Sequence, residues 1–298
     1  MGRAVCPGPT SRRTTWPCAC CYLTKYLVGD GLNVNGPMAS RTVAYDDFMG
    51  DHLDDDRWTY LTIPGRGASE TWTCFEPPAE TRVGEGTLDL FVPRFTSRLR
   101  RSPAIGNIKR GLLSRSGFST SDGVAVFALD MAVTRVGEMP TDYGDGFASF
   151  MLIDAASGWS FQVCCNGYNT FGFHDSPRRR YRSHQPTTVI FAPAQVPGTI
   201  GRSRRHEIII DSRDASVGWW ADGKLASRVE DADIPASLHI ALGLATLISA
   251  RPIAAEPVGY ASGLSVSFGP VAVRSATNTE GRATAGAHRG QQPHGSNR

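Results

Sequence analysis

Apolar and polar residues alternate along many short segments of this chain. Residues 87–92 read Thr-Leu-Asp-Leu-Phe-Val, and turn-forming Gly, Asp or Pro residues separate such segments from one another. The other alternating or largely apolar segments are 124–131, 147–154, 159–164, 207–211, 217–220, 238–243, 264–268 and 271–273. A period of two is typical of β-strands that bury one face, so the pattern predicts an all-β sandwich or barrel from about residue 43.

Two further patterns narrow this architecture. The pair Asp222-Gly223 separates 217–220 from 225–229, and Asp-Gly at the centre of a short turn predicts a β-hairpin. No 12-residue segment carries a convincing 3.6-residue apolar repeat, and the chain shows no internal sequence repeat. We therefore expect few long helices, and neither a propeller nor a solenoid.

The two ends of the chain differ from its middle. Residues 275–298 contain no Leu, Ile, Val or aromatic residue, so nothing in them offsets the entropy lost on ordering. Residues 1–40 hold Arg12-Arg13 before an apolar run that Lys25 interrupts, a loose likeness to a twin-arginine export signal. We predict a disordered or non-conforming extension at 1–40, one domain at 41–274 and a disordered tail at 275–298. A cytoplasmic location is expected, with export as the alternative.

The charge of the chain is unevenly distributed. The 298 residues include 31 Lys or Arg and 28 Asp or Glu, a net charge of +3. Between 41 and 274 there are 24 basic and 26 acidic residues, so the predicted domain carries −2. Nucleic-acid binders carry a basic domain, and a membrane span needs about 20 consecutive apolar residues, which this chain lacks. The sequence therefore predicts neither a nucleic-acid partner nor a membrane partner.

Cysteine usage gives no sign of a metal site. Four of the seven cysteines, Cys6, Cys18, Cys20 and Cys21, lie within 1–40, without the paired spacing of structural zinc sites. The odd total does not indicate a disulfide framework. The chain also lacks a phosphate-binding glycine loop, H-E-x-x-H, G-x-S-x-G and a dinucleotide fingerprint. We therefore predict no metal and no cofactor.

The order of the segments resembles the concanavalin A-like jelly roll of laminarinase-type family-sixteen glycoside hydrolases and related lectins. Three stretches carry the likeness: 112–130, 145–154, and the hairpin in which His-Glu-Ile-Ile-Ile-Asp (206–211) precedes Val-Gly-Trp-Trp-Ala-Asp-Gly-Lys (217–224). The likeness covers about residues 43–274, and the same string resembles an uncharacterised microbial family with this sandwich. It implies an antiparallel jelly-roll β-sandwich with a carbohydrate-binding cleft.

The strand that carries catalysis in the glycoside hydrolases of this clan departs from their pattern. Retaining glycosidases need two carboxylates about 5–5.5 Å apart, and this clan supplies them from one strand as Glu-x-Asp-x-(x)-Glu. The matching segment here, 159–166, reads Trp-Ser-Phe-Gln-Val-Cys-Cys-Asn and contains no acid. With Gln162 or Cys164 in those places there is neither a nucleophile nor a proton donor, which argues against classical glycoside hydrolysis.

Four residues remain as candidates for acid–base chemistry. The loop around Asp142, Tyr143 and Asp145 is the densest acidic and aromatic loop of the chain. Its carboxylates could bind Ca²⁺, hold a sugar hydroxyl or act as a general base, while an ordinary turn is the alternative. His206 opens the clan-like hairpin, where the resemblance implies a mainly structural role.

Aromatic side chains suggest where a ligand would bind. An exposed aromatic ring on a concave sheet can stack on a sugar ring or hold a flat apolar ligand. Adjacent strand residues point to opposite faces, so one of Trp219 and Trp220 is expected in the core and the other on the sheet surface. The predicted ligand-binding residues, with core packing or a turn as the alternative, are Trp219, Trp220, Trp159, Phe161, Gln162 and Asp154.

Three functions follow from these patterns. The preferred one is a non-catalytic sandwich that binds a carbohydrate, or a small apolar or polyhydroxylated ligand, on its concave face. The alternative is an enzyme of small-molecule metabolism, of cyclase, isomerase or lyase type, that uses Asp, Tyr and His side chains in the same cleft. The third is an interaction domain with flexible tails.

Overall fold

The computed structural model describes eighteen β-strands, and no helix, within residues 40–64, 71–73, 76, 78–95, 108–121, 123–136, 146–154, 157, 159–166, 168–175, 188–190, 200–245 and 263–276. The strands in the first half are β1 (Ser40–Asp46), β2 (Trp58–Tyr60), β3 (Thr62–Pro64), β4 (Thr71–Thr73), β5 (Glu80–Gly84), β6 (Thr87–Val92), β7 (Ile108–Ser119), β8 (Val124–Val136) and β9 (Phe147–Asp154). The others are β10 (Trp159–Cys165), β11 (Thr170–Asp175), β12 (Thr188–Ile190), β13 (Arg204–Asp211), β14 (Ser216–Ala221), β15 (Lys224–Val229), β16 (Ser237–Ala245), β17 (Gly263–Phe268) and β18 (Val271–Ala276).

Nine strands form a first antiparallel sheet, sheet A. Seven of them lie in the order β15-β14-β13-β8-β17-β6-β5, and β18 pairs with both β8 and β1. The long strand β8 pairs with β17 near its end and with β18 near its start, because Gly269-Pro270 interrupts what would otherwise be one strand. Apart from Ser40, Ser275 and Ala276, the predicted N-terminal extension and C-terminal tail lie outside the described residues.

Seven strands form a second antiparallel sheet, sheet B, in the order β12-β11-β10-β9-β16-β7-β2. Its central strands are almost wholly apolar or small: β10 reads WSFQVCC and β16 reads SLHIALGLA. All seven residues of β10 are buried, on both faces of the sheet. Sheet B therefore has two covered faces, unlike the half-exposed strands of sheet A such as β6.

The main core lies between the two sheets. Alternate residues of sheet A, among them Leu90, Leu129 and Ile208, pack in one cluster with Phe150 and Leu242 of sheet B. Because strand residues two apart point to the same face, this cluster fixes which side of every strand is internal.

The structure confirms the predicted fold class, an all-β antiparallel jelly-roll sandwich. It also confirms the predicted hairpin: β14 pairs with β15, Trp220 opposite Leu225, and the turn residues Asp222 and Gly223 have φ of 49° and 73°. None of the described segments forms a helix that could cross a membrane.

Candidate functional site

The face of sheet B that points away from sheet A carries a second, smaller cluster of buried side chains. We call this the outer face of sheet B. Met151 and Ile153 of β9 lie there with Phe171 and Phe173 of β11, opposite in direction to the core residues of the same strands. The alternation of β10 then places Ser160, Gln162 and Cys164 on this face and Phe161 and Val163 in the core.

Polar side chains on the outer face of sheet B bind one another. The Ser149 hydroxyl donates to Oε1 of Gln162 at 3.0 Å, and Nε2 of Gln162 donates to the Ser160 hydroxyl at 2.9 Å. The Cys164 sulfur lies 3.6 Å from the Ser149 Oγ. These four residues, on neighbouring strands in register, form what we call the Gln162 network.

The Gln162 network is uncharged and enclosed. Burial raises the pKa of the Cys164 thiol to about 12, so the sulfur stays protonated at neutral pH. Ser160 is 0% exposed and Gln162 5% exposed, so the outer face of sheet B is not an open groove at this point. The network can donate and accept hydrogen bonds but supplies neither a carboxylate nor a thiolate.

Apolar side chains surround this network. In register, Gln162 lies between Met151 of β9 and Phe173 of β11, and Ile153 is the β9 partner of Ser160. Ala241 of β16 continues the row beyond Met151. These apolar residues are themselves buried, so the polar network is enclosed by them.

His239 lies on β16, two strands away from β10, on the outer face of sheet B. Its register partner on β9 is Ile153, which places it on the outer face of sheet B. Its Nδ1 lies 2.9 Å from the Ser114 carbonyl oxygen, and a carbonyl only accepts, so Nδ1 carries the proton. The other ring nitrogen, Nε2, is left to accept a hydrogen bond when the ring is neutral.

Three of the predicted ligand-binding aromatics lie in the core and do not reach the outer face of sheet B. Trp219, Phe161 and Trp159 are at most 7% exposed. Phe161 stacks on His174 at 4.8 Å between ring centroids, and Trp219 approaches Phe161 at 6.5 Å from the opposite sheet. Their alternation matches that of the internal residues, so in this structure the three side chains pack in the core.

The other predicted ligand-binding residues occupy three separate places. Trp220 lies on the outer face of sheet A, where it pairs in register with Glu207. Asp154 ends β9, and its carboxylate accepts a hydrogen bond from the Ser157 hydroxyl at 2.5 Å, as expected for a strand-end turn. Gln162 is the member of the predicted set that the structure places on the outer face of sheet B. The six residues therefore do not form one site.

Of the four predicted acid–base candidates, His206 lies within the described residues. His206 is 0% exposed and shares the internal alternation of Ile208 and Ile210, so it lies between the sheets rather than in a cleft. Burial lowers its pKa to about 4, which keeps the ring neutral. Asp142, Tyr143 and Asp145 lie outside the described residues.

Sequence reasoning missed Ser149, Ser160 and His239 as members of a site. The signal was present in β10, where Ser160, Gln162 and Cys164 are polar or small and alternate with Phe161 and Val163. The alternation predicts two faces of β10, one lined by Ser160, Gln162 and Cys164 and the other by Phe161 and Val163. The first face carries the Gln162 network and the second belongs to the core.

Metal ligands are not grouped in the described part of the chain. Within it, no cluster of three or more His, Cys, Asp or Glu side chains is arranged to hold a metal ion. Cys164 and Cys165 point to opposite faces of β10, so their thiols do not act as a pair.

Comparison with known proteins identifies the fold. The catalytic domain of an endo-1,3-beta-glucanase (laminarinase) from Thermotoga petrophila RKU-1 superposes with a TM-score of 0.53 at 14% identity, over 81% of this chain and 100% of that one. An endo-1,3-beta-glucanase from Streptomyces sioyaensis gives 0.54 at 14% identity, over 82% and 99%. Porphyranase B from Zobellia galactanivorans gives 0.51 at 10% identity, over 84% and 98%.

These likenesses confirm the resemblance that the sequence motifs indicated, and at such low identity they show the fold alone. None of the curated protein sequences matches this chain. A family model does match it: residues 45–277 fit a family described as a family of unknown function.

Proposed function

We propose that this chain, which belongs to the family of unknown function DUF6081, binds a small ligand on the outer face of sheet B and does not hydrolyse glycosidic bonds. The observation that carries the proposal is the lining of β10. Its three residues on that face are Ser160, Gln162 and Cys164, where the catalytic strand of the resembled hydrolases has carboxylates.

The absence of paired acids on this strand removes the chemistry of glycoside hydrolysis. That reaction needs one carboxylate as nucleophile or base and a second as proton donor. Glutamine cannot donate as an acid or attack as a carboxylate, and a thiol with a pKa of about 12 stays protonated.

The enclosure and the apolar surroundings favour a small ligand over a polysaccharide chain. A polysaccharide needs an open groove with exposed rings and many polar partners. Ser160 and Gln162 are instead almost fully buried among Met151, Ile153 and Phe173. The core aromatics Trp219 and Phe161 point into the sandwich and offer no stacking surface there.

Two assays on the full-length chain test this proposal. We expect no release of reducing ends from laminarin above that of heat-inactivated protein. In calorimetric titrations with glucose, laminaribiose and acetophenone, we expect at least one of these small probes to bind. Sustained release of reducing ends, or failure of all three probes to bind, would contradict the proposal.

Variants locate the binding. Ala241→Phe places a ring on the outer face of sheet B and should abolish binding, and Cys164→Leu, a milder change, should weaken it. Ala132→Phe adds the same ring on the outer face of sheet A and should leave binding intact. Thermal unfolding of each variant shows whether it is folded. Loss of binding in Ala132→Phe alone would place the ligand elsewhere.

A further inference from the structure

Two polar side chains lie at the rim of the outer face of sheet B, where β16 begins. Ser237 is the first residue of β16 and His239 follows two positions later, so both side chains point to the same face of the strand. Ser237 is exposed and His239 is half-buried. The Ser237 hydroxyl forms no hydrogen bond with the described residues, so it is available to a molecule that arrives from solvent.

A glycine on the neighbouring strand β7 lets these two side chains approach each other. Gly117 is the register partner of His239. A Cβ added at Gly117 would lie 2.7 Å from the Ser237 Oγ and 3.5 Å from Nε2 of His239. The hydroxyl and the ring nitrogen therefore meet over a backbone position that carries no side chain, and neither has to pass a buried group to reach the other.

The backbone holds the His239 ring in the tautomer that a general base needs. Nδ1 carries the ring proton and donates it to the Ser114 carbonyl oxygen at 2.9 Å, so the lone pair of the neutral ring is on Nε2, the nitrogen near Gly117. A nucleophile, a base and a third group that orients the base are the parts of a serine acyl-transfer site. In this chain a backbone carbonyl is the orienting group.

We infer that Ser237 and His239 act as a nucleophile and its general base, and that Ser237 accepts an acyl group from a small ester. A change of the Ser237 rotamer brings Oγ to Nε2. Oγ then attacks the carbonyl carbon of the ester while its proton passes to Nε2. The bond from this carbon to the leaving oxygen breaks, and the proton moves from Nε2 to that oxygen, which releases the alcohol and leaves an acyl–Ser237 ester.

Water completes the cycle through the same base. A water molecule attacks the acyl–Ser237 ester, gives a proton to Nε2 of His239, and this proton returns to Oγ as the carboxylic acid leaves. An ester is the class assigned because its alcohol is a better leaving group than the amine of an amide. Aryl esters, whose phenolate leaves most readily, should react fastest.

Acetylation of the full-length chain by p-nitrophenyl acetate, located by peptide mass spectrometry, tests the pair. We expect Ser237 to be acetylated about a hundredfold faster than Ser119, the exposed serine that is its register partner, since general-base catalysis contributes rate factors of this order. The exposed amine of Lys224, on sheet A, reacts without the help of this pair and serves as the internal standard.

Variants assign the rate to the histidine. His239→Gln keeps a side-chain N–H for the Ser114 carbonyl but has no basic nitrogen, so acetylation of Ser237, measured against that of Lys224, should fall to the rate of Ser119. Ser265→Ala removes a hydroxyl from sheet A and should leave the Ser237 rate unchanged. Thermal unfolding shows whether each variant is folded.

Equal acetylation of Ser237 and Ser119 in the natural chain would overturn the inference, whether or not the His239 variant folds. An undiminished Ser237 rate in folded His239→Gln would overturn it as well, because the histidine would not be the base. The inference does not depend on a ligand at the Gln162 network, so failure of the small probes to bind there would leave it standing.

Discussion

His206 is a histidine that the fold holds neutral between its two sheets. Neither ring nitrogen has a hydrogen-bond partner among the described residues, and the side chain is 0% exposed. The charged groups that act on it are Asp222, which opposes the shift, and Arg204, which adds to it; burial outweighs both and lowers its pKa to about 4. In the β13–β14 hairpin the ring is therefore packed between the sheets in its neutral form.

This burial predicts a pH dependence of stability. Between pH 6.5 and about pH 4, His206 is protonated in the unfolded chain and neutral in the folded chain. Stability is therefore lost as pH falls through this interval, by about 3 kcal/mol at its lower end. Urea unfolding should show this loss in the natural chain and much less of it in His206→Leu.

The exposed His52 provides the matched control for that measurement. His52 lies on the surface beside Asp51, so His52→Asn should retain the steep loss of stability between pH 6.5 and pH 4. A natural chain and a His206→Leu variant with parallel pH profiles would show that His206 does not carry the effect.

At the scale of elements, strand β11 of sheet B packs against strand β14 of sheet A at Gly172. A Cβ added at Gly172 would lie 3.2 Å from Cδ2 of Trp219, so the ring of one sheet rests directly on the backbone of the other. Trp219 also meets Phe161, the register neighbour of His174. The contact explains why Trp219 is internal and Trp220, on the other side of β14, is not.

Filling this contact should weaken the sandwich. We expect Gly172→Ala to lower the free energy of unfolding by about 1–3 kcal/mol, because the Trp219 ring must shift to admit a methyl group. Gly50→Ala is the control, since the nearest atom to its added Cβ is 3.5 Å away. Urea unfolding followed by tryptophan fluorescence measures both, and equal stability of the two variants would contradict the proposed packing.

The positions of several strands along the chain were predictable from sequence. Which side of each strand faces the partner sheet was not. Alternation and the Asp222-Gly223 turn are local properties, and they correctly indicated β6 and the β14–β15 hairpin. In β10 the two sets of alternate residues differ little in polarity, because both faces of the strand are buried. Whether Phe161 or Gln162 points to the partner sheet depends on pairing with β9 and β11, which a single sequence does not reveal.

At the scale of the whole molecule, the residues that build the core and the residues that line the outer face of sheet B are separate sets. The core that holds the two sheets together is built from internal residues such as Leu129, Phe150 and Ile208. On β9, Met151 lies on the opposite side of the strand from Phe150, on the outer face of sheet B. The identity of the polar side chains on the outer face of sheet B is therefore independent of this core. The chain superposes on endo-1,3-beta-glucanases and carries Ser160, Gln162 and Cys164 on the outer face of β10, in line with the rule that a fold does not fix a function.

The most direct test of this account is the NMR signal of the Gln162 side-chain amide, identified by its loss in Gln162→Leu, during a titration with acetophenone. The account predicts a saturable shift of this signal, while the indole N–H signal of Trp220, on the outer face of sheet A, stays in place. A shift of the Trp220 signal with a stationary Gln162 signal, or no shift of either, would contradict a ligand site on the outer face of sheet B.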